Sequence, residues 1–174
     1  MKITKPENLE PNAYFTKFIN KVEENDLVLA LSNSKDDLVA SFLKVSEEDS
    51  QFAYAKGKWT IKQVVKHLSD TERILSYRAL RFGRNDNTPI PGFDEDHYAA
   101  YDNSANLKWE DVIEEFALVR MAKIKLFESM DLKFLDHAVM SGETQLCPRD
   151  LGFIIVGHAL HHAGVIQEKY IKLS

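Results

Sequence analysis

Two histidines set four residues apart, His158 and His162, fall in the stretch RDLGFIIVGHALHHAGVIQEKY. On a helix advancing ~100° per residue they share the apolar stripe of Leu151, Ile155 and Val165, stacked one turn apart on one face. That is the spacing by which two imidazoles reach a single cation. A pair of core histidines hydrogen-bonded to backbone or carboxylates would fit the same pattern. A shared divalent ion has the advantage of satisfying both rings at once, since burying two imidazoles without partners costs on the order of several kcal/mol. His161 lies ~80° from the stripe centre by the same count, a rim position. His97 and His137 fall in connections and read as surface residues.

The natural third ligand is His67, which sits ~60° from Val64 on another helical stripe, where a side chain enters at an inter-helix seam. The alternative is an interface histidine half in water. Three neutral imidazoles leave an ion its positive charge and an open coordination position, whereas closed structural sites use four protein ligands, commonly cysteine. The lone Cys147 precedes His158 by eleven residues, ~16 Å along a helix, too far to join. An open site binds water, a substrate thiol or a carbonyl oxygen, and lowers the pKa of what it binds. Zinc, nickel and ferrous iron all suit imidazole; zinc is favoured for a transferase or hydrolase.

Further residues carry their own expectations. Asp70, one turn after His67, is a candidate acceptor for that ring's second N–H, with a solvated surface aspartate as the alternative. Glu72 falls within the stripe of Leu68 and Leu75, and Arg120 between Phe116 and Phe127. Two charges aimed at one core are costly unless paired, so an ion pair is expected inside the bundle or at a pocket wall. A register-setting salt bridge ranks ahead of Arg120 gripping a substrate carboxylate. Cys147 stands where a helix dipole can lower a thiol pKa, although a packed, unreactive thiol is the commoner outcome. The acidic run Asp94-Glu95-Asp96 reads as a solvated turn or helix cap.

These side chains are carried by apolar patterns of helical period. After a short helical lead-in at Asn12 to Val22, four long helices are expected: Asp26 to Val45, Thr60 to Phe82, Trp109 to Met130 and Pro148 to Leu173. Thr60 is placed as an N-cap, Gly83 as a stop signal and Pro148 in a tolerant first turn. Four amphipathic helices of this length pack most simply as an all-α four-helix bundle. Gly83 to Lys108 is long for a connection, and Phe93, Tyr98 and Tyr101 anchor it as an ordered crossover. Such a crossover lets helices two and three run parallel, an up-down-down-up order.

The bulk numbers agree. A chain of 174 residues without a linker or repeat is expected to form one domain, residues 1–174. Its 44% hydrophobic and 28% charged residues suit a globular protein. No apolar run approaches the ~20 residues of a membrane span, and MKITKPENLE lacks a secretory h-region. One cysteine suits a reducing cytoplasm. The net charge of −5 argues against a phosphate-backbone binder. Neither nucleic acid nor membrane is therefore an expected partner.

The segment KWTIKQVVKHLSDTERILSYRALRFGRNDNTPIPGFDEDHYAAY, followed later by RDLGFIIVGHALHHAGVIQEKY, resembles the DinB-like superfamily of metalloenzymes, which includes bacillithiol- and mycothiol-dependent transferases. The resemblance runs from about Asp26 to Tyr170. Its most specific elements are Trp59, Thr60, His67 and Leu68, then Gly157, His158, His161 and His162. It implies His67, His158 and His162 as metal ligands, parallel second and third helices, and a plausible homodimer. Two positions depart from the family pattern. Ala159 stands where many relatives carry glutamate, which removes a candidate acid/base group, and Cys147 stands where Ser or Thr often starts the last helix.

The leading expectation is a divalent-metal enzyme that transfers a low-molecular-weight thiol to an electrophile, or hydrolyses a small molecule. The alternative is a non-catalytic, stress-related metal- or ligand-binding protein. A bundle with satisfied core histidines ranks last.

Overall fold

The computed structural model describes residues 2–7, 13–141 and 144–171. Among them the four long helices appear at the expected places: α2 Leu27–Phe42, α4 Ile61–Phe82, α6 Trp109–Glu128 and α7 Pro148–Lys169. Shorter helices lie between and before them: α1 Ala13–Ile19, α3 Glu47–Ser50 and α5 Glu95–Ala100. Residue 12 of the expected lead-in and residues 172–173 of the expected last helix lie outside the described residues.

Local chemistry sets the ends of these helices. Asp26 caps α2, its carboxylate accepting from the Val28 N–H at 3.1 Å. Thr60 and Gln63 form a reciprocal capping box at α4, with both contacts near 3 Å, which satisfies two otherwise orphaned amides. At α7 the Asp150 carboxylate accepts the Cys147 N–H at 3.0 Å, and Pro148 occupies the first turn. Several short features escaped the sequence reading, among them α3, α5 and an antiparallel pair of strands, β1 Val139–Ser141 and β2 Thr144–Leu146, with Val139 opposite Leu146. Three-residue strands are too short for a period-two pattern to register.

Contacts at the two ends fix the helix directions. Near one end, buried Lys62 of α4 donates to the Leu107 carbonyl just before α6, and Glu47 accepts the Trp109 N–H at 2.6 Å. Here also the Trp109 indole donates to the Phe42 carbonyl at the end of α2, and the hydroxyl of Tyr170, the residue that caps the end of α7, donates to the Trp59 carbonyl. At the other end Gly152 of α7 meets Leu27 of α2 and Phe127 of α6, and Gly83 meets Met130. Helices α4 and α6 therefore run parallel to each other and opposite to α2 and α7, the up-down-down-up order. The crossover, residues 83–108, makes this possible by returning the chain along the bundle with α5 inside it.

The core divides into two apolar clusters stacked along the axis. One gathers Leu31, Leu75, Phe127 and Ile154; the other gathers Leu38, Leu68, Phe116 and Ala159. Between them in sequence each of the four helices carries at least one buried polar residue, Ser34, Glu72, Arg120 and His158 among them, and buried His67 directly precedes Leu68. Outside this frame α1 packs on α7 at Gly157, where a Cβ would stand 1.9 Å from the Phe18 carbonyl oxygen. Only glycine admits so close an approach, and it lets α1 lie over the waist of the bundle. No helix among the described residues is long and apolar enough to cross a membrane.

Candidate metal centre

His67 reaches the waist from α4, and His158 and His162 from successive turns of α7. Their Nε2 atoms converge. His67 and His162 lie 3.2 and 3.1 Å from the Nε2 of His158, and ligand atoms from all three fall within 4.8 Å of one another. Nitrogens sharing an ion through bonds of ~2.0–2.1 Å stand about 3 Å apart, so the spacing fits a single metal. Among the described residues no other group of histidine, cysteine or carboxylate side chains converges in this way, and no fourth donor joins these three.

The electrostatics also suit a cation. Burial is the main cause that lowers the pKa of each ring: His67 to about 4, His162 to about 3, and His158 well below its ordinary 6.5. Proximity of the other rings lowers His158 and His162 further. All three are therefore neutral at pH 7 and present lone pairs rather than N–H⁺ groups, the form a metal needs. Each neutral ring has one N–H and one lone pair, and the tautomer decides which nitrogen donates; in the tautomer that turns every Nε2 lone pair inward, the three rings have no donor among themselves. A divalent ion would satisfy them all.

The hydroxyl of Thr71, one turn beyond His67, lies 3.5 Å from that ring's Nδ1, where it helps hold the ring with Nε2 turned inward. The indole of Trp59 packs on His67 at 4.9 Å between ring centroids, and Phe18 meets His158 edge-on at 5.3 Å. The histidines open onto a cavity of about 390 Å³, within the range of small-molecule sites. Helix α1 supplies Tyr14, Phe15, Lys17 and Phe18 to its wall, and the crossover supplies Phe93 and Glu95.

Other residues singled out in the sequence lie as follows. His161 is half-buried on the cavity wall, its ring 5.6 Å from that of Phe18, a rim position. The Asp70 carboxylate, expected beside His67, accepts from Arg73 at 3.2 Å and lines a neighbouring cleft; Thr71 is the group within reach of the ring. Glu72 and Arg120 are paired, with Arg120 Nε 3.0 Å from both carboxylate oxygens and Nη1 donating to the Ser34 hydroxyl at 2.6 Å. Arg120 is fully buried and Glu72 nearly so, and neither is among the residues lining the cavity. The salt bridge is internal to the bundle. Cys147 is a packed N-cap thiol, pushed up to about 12 by burial and by Asp150, the opposite of an activated one. His97 stacks near Tyr101, and His137 meets Asn87 at 3.1 Å.

Thr71, Arg78 and Glu95 are polar cavity residues to which the sequence reading gave no place in the site. Thr71 and Arg78 follow His67 by four and eleven positions, about 40° and 20° from it around the helix. That signal was present but hidden, because a threonine and an arginine read as surface residues. Glu95 had no periodic signal at all, since the path of the crossover alone brings it to the cavity.

A family model for the DinB superfamily matches residues 30–166. No curated protein sequence matches the chain. Among solved structures, YfiT from Bacillus subtilis, described as a probable metal-dependent hydrolase with an unusual four-helix bundle topology, superposes with a TM-score of 0.64. It is 20% identical, over 94% of this chain and 90% of that one, a likeness of fold.

Proposed function

The chain belongs to the DinB superfamily, and from that premise we propose that His67, His158 and His162 hold one divalent metal ion in an enzyme acting on a small molecule. The observation that carries this reading is the convergence of three buried, neutral imidazoles on a cavity with no fourth protein donor among the described residues. Zinc is the expected ion, with nickel and ferrous iron as the other ions suited to imidazole. When bound, the ion would supply Lewis acidity, lowering the pKa of a coordinated water or thiol to give a nucleophile near neutral pH.

The chain's own residues do the rest. Thr71 and Trp59 hold the His67 ring, and the aromatic side chains of α1 and Phe93 shield the cavity from water. Glu95 stands on the wall as a carboxylate whose pKa is raised by burial and by Asp96 and Asp94, a suitable acceptor for a proton released inside. Two reactions use this arrangement: transfer of a low-molecular-weight thiol to an electrophile, as the family resemblance implies, and hydrolysis, the activity ascribed to YfiT. A second reading, a metal- or ligand-binding protein without turnover, draws on Ala159. That residue is buried in the apolar core, at the position where many relatives carry an acid/base glutamate.

The experiment is metal analysis of protein purified without a histidine tag, followed by assays of thiol transfer and of ester or amide hydrolysis. About one divalent ion per chain is expected, lost in His158→Ala. Metal without turnover favours the binding protein. A metal-free wild type, or a His158→Ala variant with full metal content, removes the proposal.

A further inference from the structure

We propose that Arg78 anchors the anionic end of the substrate, so that the cavity selects small carboxylates with an apolar body. The inference rests on the metal-enzyme reading and adds the substrate class. His67, Thr71, Leu75 and Arg78 line the cavity at intervals of four, four and three residues, so a single face of α4 forms one wall of it. The histidines occupy one end of this wall and the guanidinium the other. They are separated by ~16 Å of helix axis, less the reach of both side chains. Between them the walls are apolar, formed by Leu75, Ile154, Phe15 and Phe93.

Arg78 is 91% buried, being 9% exposed. Its Nη2 donates to the Pro91 carbonyl at 3.2 Å, which fixes the guanidinium to the crossover at the cavity wall. Burial lowers its pKa, as expected of a charge drawn out of water. The planar fork of an arginine matches a carboxylate through two parallel N–H donors. Arg120, the arginine first considered for this role, is engaged by Glu72 inside the bundle. The charge on the cavity wall points the same way: among the described lining residues Arg78 and Lys17 carry cationic groups and Glu95 is the one carboxylate, and a bound divalent ion would add further positive charge. Such a cavity favours an anion.

The test uses 3-phenylpropionate and its neutral amide, titrated by calorimetry into metal-loaded and metal-stripped protein. The metal-stripped arm matters because a carboxylate can also ligate an ion. Without metal, the acid is expected to bind about tenfold more tightly than the amide, the scale of one hydrogen bond to a charged group. Arg78→Gln should abolish that preference, and Arg78→Lys should keep part of it. Equal binding of acid and amide by the metal-stripped wild type, including none of either, overturns the inference. So does an undiminished preference in Arg78→Gln. If that variant does not fold, as judged by circular dichroism, the wild-type comparison and Arg78→Lys decide. Metal content is measured on the same samples. A metal-free wild type that still shows an Arg78-dependent preference would defeat the metal reading while leaving this one standing, and metal without preference would do the reverse.

Discussion

The waist of the bundle holds two buried polar clusters, and α4 contributes to both through residues five positions apart. At Glu72 and Arg120 a carboxylate meets a guanidinium that also reaches Ser34. Charge is balanced, donors face acceptors, and the group lies away from the cavity. At His67, His158 and His162 three neutral imidazoles face one another beside a cavity, with a threonine hydroxyl at 3.5 Å behind one ring. The first cluster is complete within the chain. The second is a set of three metal-ligating side chains that a divalent cation would bridge, and this difference separates a buried polar group that holds structure from one arranged as a candidate site.

The sharpest way to break the comparison is to remove one partner of the complete cluster. Glu72→Ala leaves Arg120 buried with the neutral Ser34 hydroxyl and Leu31 carbonyl as acceptors, and an interior charge without its counter-ion costs about 3–5 kcal/mol. Chemical denaturation should show a loss of that size, while the fraction that stays folded keeps its metal. A loss below about 1 kcal/mol would mean the pair is not buried in solution.

Acid should act on the histidine cluster. Its rings have folded-state pKa values below the unfolded value: about 4 for His67 and about 3 for His162, with burial as the main cause. Between pH ~6.5 and ~4 the unfolded chain binds protons that the folded chain does not, so stability falls as pH falls and rises as pH rises. The metal-free protein is expected to lose roughly 1.4 kcal/mol per pH unit for each such ring. Bound metal should delay that loss until protons displace it. Melting temperatures of the metal-free form that stay flat across this window would show the rings to be solvated.

The smallest effect concerns orientation. Thr71→Val removes the hydroxyl beside His67 Nδ1 at nearly constant shape. Loss of a group that orients a metal-ligating histidine commonly lowers metal affinity by ~10–100-fold, and the long 3.5 Å contact places the expectation at about tenfold. Competition with a chromophoric chelator measures it, and unchanged affinity would leave ring orientation to packing against Trp59.

Much of this was legible in the residues. The caps at Asp26 and Thr60, the stripes of the four long helices, the inward histidines of α7 and the pairing of Glu72 with Arg120 all follow from local rules. Helical period places a side chain on a face, and burial then demands a partner for any charge on that face. His67 was harder to place, because its seam position was compatible with a half-solvated ring. Asp70 shows where such reasoning ends: one turn along from a histidine is an angular statement, and rotamers with Arg73 nearby decided which residue the carboxylate meets.

The sequence by itself determined which stretches are helices, which faces are apolar, and that histidines would be carried into the interior, because these depend on neighbours within a few turns of chain. Only the tertiary structure decided that the His67 and His162 Nε2 atoms both come within hydrogen-bonding distance of His158 Nε2, that α1 closes over them at Gly157, and that Arg78 and Glu95 share their cavity. Those outcomes depend on the separation and rotation of helices that are distant in sequence, and no periodicity within a single helix encodes them.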